Sequence, residues 1–196
     1  MKKVNNVSNS IRNATFYLLL LLNLIVIVVL FVKPRDVESN YLPSDKAISS
    51  IIRASDLQYK SEGLQVFIYE WTDSLLLKCL KHGCALILRI GDKHCEVCVT
   101  EALMDFNDFI SQNDISYGII LASYDNTMDF EHLKNRYKNI SVMNIGAIDL
   151  PVDEINNPYL FLVDRSMLTD MVFVHQKEFP EKTKGYFEAV QAKLIK

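Results

Sequence analysis

Apolar and polar residues alternate along the chain on three different length scales, and each scale implies a different element. The first is a continuous run. Thr15–Val32 reads TFYLLLLLNLIVIVVLFV, with Asn23 as its only strongly polar member. As a helix it is roughly 27 Å long, which matches the hydrocarbon thickness of a bilayer. A core helix would carry a polar stripe, which this run lacks. The second scale is the short bounded run expected of strands: Leu64–Tyr69, Ala85–Ile90, Ile115–Ala122, Ile140–Met143, Tyr159–Val163 and Met171–His175. The third is helical spacing. Over Cys95–Gln112, Val99, Ala102, Leu103, Phe106 and Ile110 share one face, while Glu101, Asp105 and Asp108 lie elsewhere. Further helices are expected near Asp73–Lys81, Met128–Tyr137 and Thr183–Leu194. Turns fall at Gly91-Asp92-Lys93 and around Asp164–Asp170. Strands and helices in alternation, then a hairpin and a closing helix, predict α/β layers around one mixed sheet.

The segments flanking the long run decide how it is read. Residues 1–14 contain Lys2, Lys3 and Arg12 and no acid, and residues 15–32 contain no charge. The run is longer than the core of a usual signal peptide. It is followed by Lys33-Pro34-Arg35-Asp36, with no small-x-small cleavage site and no lipobox cysteine. The expectation is an uncleaved anchor over 15–32, with the basic flank 1–14 in the cytoplasm and the rest of the chain outside. Residues 33–63 are polar and interrupted by Pro34, Pro43 and Gly63. They read as a juxtamembrane spacer, with the folded domain occupying 64–196.

Composition narrows the function. The chain has 196 residues and a net charge of −3, of which +3 belongs to the first fourteen residues and −6 to those after the anchor. This leaves room for one soluble domain. An acidic body without a Lys/Arg patch argues against nucleic acid as a partner. Four cysteines are too few for a disulfide scaffold, so each needs its own explanation.

Two of them form the chemically suggestive feature, His94-Cys95-Glu96-Val97-Cys98. It lies where a buried strand ends and an amphipathic helix begins. There Cys95 meets the exposed N–H groups and positive dipole end of the helix, which favour a thiolate. Cys98, one turn on, is placed to attack a mixed disulfide formed by Cys95.

With this motif in that context, the chain resembles membrane-anchored bacterial thioredoxin-like proteins of the TlpA/ResA type over roughly residues 64–196. The resemblance implies a thioredoxin-like fold, a central mixed sheet flanked by helices. It places the cis-proline loop at Asn156-Asn157-Pro158-Tyr159, with Pro158 facing the cysteines and Asn157 offering backbone groups to an extended partner chain. It implies thiol–disulfide exchange by Cys95 and Cys98 with exported proteins or apocytochrome c thiols, supplied by an upstream redox partner. The localisation it implies is the bacterial inner membrane, with the domain facing the periplasm. No cofactor or metal is required, because the cysteines carry the electrons. Three positions depart from the family. His94 stands where Trp is usual, Val97 where Pro is frequent, and Arg89 where thioredoxins keep a buried acid six residues before the first Cys. Glu96 opposes a thiolate at Cys95, whereas a protonated His94 and a nearby Arg89 would favour it. These departures leave a second reading open, a binding or assembly module whose cysteine pair is structural or metal-binding.

The remaining chemistry reads as bland. Cys79 and Cys84 are expected to be buried or semi-buried small apolar residues, with a second disulfide, or a zinc site shared with Cys95 and Cys98, as the sharper alternatives. His132 and His175 read as surface or partly satisfied histidines. Asp125, Asp129 and Glu131 read as a solvated turn and helix start, and Tyr159, Met167, Met171, Phe173 and Trp71 as packing.

Overall fold

A computed structural model describes residues 19–21, 45–66, 83–113, 115 and 118–194. The chain divides into two compact units, Met1–Asp45 and Lys46–Lys196. In the first, Leu19–Leu21 are helical and exposed, and the rest of the expected anchor lies outside the described residues. Among the described residues, no helix is long and apolar enough to cross a membrane. The expected helix Asp73–Lys81, Trp71 and Cys79 also lie outside them, as does the expected strand Leu64–Tyr69 beyond Val66.

The second unit is built on five strands: β1 (Cys84–Arg89), β2 (Gly118–Ala122), β3 (Ser141–Asn144), β4 (Tyr159–Asp164) and β5 (Thr169–Val174). They are ordered β3-β2-β1-β4-β5. The pairs β1–β2 and β2–β3 are parallel, and β4 runs antiparallel to both β1 and β5. The helices are α1 (Asp45–Ser61), α2 (Glu96–Gln112), α3 (Thr127–Arg136) and α4 (Pro180–Leu194), with a 3₁₀ turn at Pro151–Glu154. The sheet is therefore mixed, as the alternation of runs and amphipathic stretches predicts, and boundaries move by one to three residues.

Side-chain alternation divides the core. Leu86 and Leu88 of β1, and Ile90 just beyond it, point to the face covered by α2, α3 and α4. Ala85 and Ile87 point to the other, with Ala54 of α1 and Val152 of the 3₁₀ turn. Buried on both faces, β1 reads as a continuous apolar run rather than an alternating one. Gly118 opens β2 at a point where a side chain would collide with α2. An added Cβ would lie 2.5 Å from Ile110 Cδ1 and 3.2 Å from Phe106 Cζ.

The spacer expected over residues 33–63 is the main departure. Its second half is the 17-residue helix α1, and Ala54, Leu57 and Ser61 are buried. The helix also helps to cover the outer edge of β5, whose start pairs with residues 63–65. Gln58 accepts from Val174 N–H at 3.1 Å and donates to Val172 O at 3.3 Å, while Glu62 accepts from Val172 N–H at 2.6 Å. Unpaired strand edges invite association with other chains, so these side chains act as an edge cover. Residues from α1 onward thus belong to the folded unit.

Candidate functional site

β1 ends at Arg89, and the chain then turns through 90–94 into α2. Ile90 N–H donates to Leu121 O and Ser123 N–H to Ile90 O, each at 3.0 Å, which extends the β1–β2 register into the loop. His94 N–H donates to Gly91 O at 3.0 Å and closes the turn. This delivers Cys95 to the N-cap of α2, where its Sγ accepts from Cys98 N–H at 3.3 Å. Thiol and helix terminus therefore meet as the spacing predicts, and the dipole favours negative charge on that sulfur.

Cys95 and Cys98 are at disulfide distance, with Cα atoms 5.1 Å apart. Cys95 is exposed, whereas Cys98 is 7% exposed. That asymmetry suits exchange chemistry, since one sulfur can be reached by a partner and the other only from within the pair. A mixed α/β sheet carrying such a pair at a helix start is compatible with a thioredoxin-like fold. Neither protein-family profiles nor curated proteins give a match to this chain.

The loop before β4 reaches the pair: Cys95 N–H donates to Asn156 O at 3.3 Å. Asn157 turns its side-chain amide to His175 O at 3.4 Å, and Pro158 O accepts from His175 N–H at 2.9 Å. No peptide bond among the described residues is cis, so Asn157–Pro158 is trans where the resemblance implies cis.

Arg89 is buried, and its guanidinium is committed. Nη1 donates to Ala122 O at 3.2 Å and Ile145 O at 3.3 Å, and Nη2 to Gly146 O at 2.6 Å. Nε lies 3.7 Å from Asp153 Oδ1, the same oxygen that accepts from Tyr159 OH at 2.7 Å. Where thioredoxins keep a buried acid, this chain has a base, and the acid comes from the 3₁₀ turn. Burial and the neighbouring Asp153 raise the Tyr159 hydroxyl well above its usual range, which keeps it a donor.

His94 is the other departure from the family pattern. Burial, then the positive charge of Arg89, lowers its pKa from 6.5 to about 4, and Asp153 offsets only part of this. At neutral pH it is therefore uncharged, and it gives Cys95 no positive neighbour. Val97 is 53% exposed beside the pair, and Glu96 is exposed in the first turn of α2. The His94 shift predicts a pH effect. Between pH 6.5 and 4 the unfolded chain binds the proton that the folded state resists, so stability falls as pH falls through that window. Urea unfolding of the wild type and of His94→Gln across it should show the wild type losing stability relative to the variant as pH falls toward 4. Parallel curves would exclude the effect.

Sequence reasoning missed Asn156, Asp153 and the Asp105–His175 pair. His175 is 2% exposed, and its Nε2 lies 2.9 Å from Asp105 Oδ2 while its Nδ1 is buried without a partner among the described residues, so of the two expected readings it is the partly satisfied histidine, a buried tie between α2 and the end of β5. No local pattern marks it, because the partners are 70 residues apart. Cys84, a half-buried free thiol, opens β1, and burial pushes its pKa up. It lies roughly 17 Å of strand before Arg89. A zinc site joining it to Cys95 and Cys98 is therefore incompatible with this fold.

Proposed function

We propose that this chain is a thiol–disulfide oxidoreductase of the TlpA/ResA type, anchored by residues 15–32 and exchanging disulfides with proteins outside the cytoplasm. The observation that carries this reading is the pairing of an exposed Cys95, at the N-cap of α2, with a buried Cys98 at disulfide distance. The anchor and its orientation rest on the uncharged run and its basic N-terminal flank.

In the reducing direction, the Cys95 thiolate attacks one sulfur of a partner disulfide. A Cys95–partner disulfide forms, and the partner's other sulfur leaves as a thiolate. Cys98, on losing its proton, attacks Cys95 Sγ, so that the Cys95–Cys98 bond forms and the second partner sulfur leaves. Two electrons pass from the pair to the partner, and a dithiol upstream restores the reduced state. The oxidising direction is the same sequence reversed.

Cys98→Ser in the full chain should accumulate covalent, reducible complexes through Cys95, and Cys95→Ser should form none. A second measurement is the reduction potential of the pair. A working pair is expected well above about −300 mV, where structural disulfides of exported proteins lie. No trapped complex, together with a potential below that value, would mean that the pair is structural.

A further inference from the structure

Beside the pair, α2 and α3 enclose a groove of about 670 Å³ that begins at His94 and Glu96, the two neighbours of Cys95. Its volume is within the range of ligand sites. Leu103 of α2 and Leu133 of α3 line it and are both buried. Its charges are sorted by position. Asp92, Glu96 and Asp129 are at the end nearest the cysteines. Asp125 N–H donates to Asp92 Oδ2 at 2.7 Å, which ties Asp92 to the loop entering α3, and Asp129 is in the first turn of that helix. Burial raises the Tyr124 hydroxyl, and both Asp92 and Asp129 raise it further, as expected if the two carboxylates share that end. Arg136 is the last residue of α3, seven residues beyond Asp129, and therefore about 10 Å further along the groove. Among the described residues, none of Glu96, Asp129 and Arg136 takes part in an ion pair.

An extended chain advances about 3.3 Å per residue, so the separation between the acidic end and Arg136 spans three residues. We propose that this groove selects the partner segment: an extended peptide with a basic residue next to its reacting cysteine and an acidic residue about three positions further on. The proposal rests on the exchange activity argued above and names its substrate class. The base would face Asp92, Glu96 and Asp129, and the acid would face Arg136. A base beside the partner's cysteine also stabilises the thiolate that must leave.

The test uses the full chain, reduced beforehand, and short peptides whose single cysteine is disulfide-linked to a chromophoric aromatic thiol. The pair is oxidised as the peptide and dye are released as thiols, and the absorbance of the dye reports the rate. One peptide carries Lys beside Cys and Glu three residues on, a second has the two charges exchanged, and a third is neutral. Each is made in both chain directions. The Lys-first peptide should react about three- to tenfold faster than its exchanged form in one direction at low salt, as expected of two exposed charge pairs. The difference should vanish near 1 M salt, where screening acts within about 3 Å. The double variant Asp129→Lys, Arg136→Glu should abolish the preference, because Asp92 and Glu96 keep the first end acidic while the second end becomes acidic as well. Equal rates for all peptides would overturn the groove proposal while leaving the exchange activity standing. Release of no dye from any peptide would remove the activity itself, and the proposal with it.

Discussion

Arg89→Met should lower the unfolding free energy by about 3–5 kcal/mol, the usual loss when one partner of a buried charged network is removed. Arg89 is 4% exposed, and its guanidinium serves three backbone carbonyls, those of Ala122, Ile145 and Gly146, besides lying beside Asp153. Methionine matches much of its volume but supplies no donor. Three carbonyls and a partly buried carboxylate would lose their partner at once. Lysine should recover only part of the loss, because an ammonium cannot serve separated carbonyls in the way that a planar fork does. Arg89→Asp, which places an acid where thioredoxins have one, should be worse than methionine because it sets a second carboxylate against Asp153. Urea unfolding of the four proteins checks the order. A cost below about 1 kcal/mol for Arg89→Met would show that segment 145–154 does not depend on this side chain.

Phe106→Ala should cost a similar 3–5 kcal/mol, the usual loss for truncating a buried phenylalanine. Phe106 is fully buried two turns beyond Cys98, and its ring packs under α2 against the start of β2, where Gly118 leaves room for it. It therefore holds the helix that presents the cysteines without touching their chemistry. Val97→Ala, an exposed change on the same helix, should stay within about 0.5 kcal/mol. Unfolding midpoints of the two variants, measured with the pair oxidised in both, provide the comparison. A loss below 2 kcal/mol at Phe106 would mean that α2 is held mainly by contacts elsewhere.

Much of the scaffold was readable because its signals are local. β1 and β2 are short apolar runs, since both their faces are covered. α2 shows its buried face in the spacing from Val99 to Ile110. The cysteine pair was readable for the same reason, because a separation of three residues at a helix start brings two sulfurs together whatever the rest of the chain does. The helix α1 was not readable. Among its described side chains only Ala54, Leu57 and Ser61 are buried, and its polar ties, through Gln58, Ser61 and the following Glu62, reach residues some ninety or more positions away. A polar helix attached in that way has the composition of a spacer.

The sequence by itself determined the order of elements from β1 to α4, the position of Cys95 at a helix start and the uncharged run at 15–32, since each depends on residues within a few positions of one another. Only the tertiary structure decided that Arg89 finds its acid in Asp153, that Asn156 meets Cys95, that His94 is neutral, and that acidic and basic groups are sorted along one groove. These depend on the register of β1 against β2 and β4, which places residues tens of positions apart within a few ångströms. No local pattern of side chains encodes that distance.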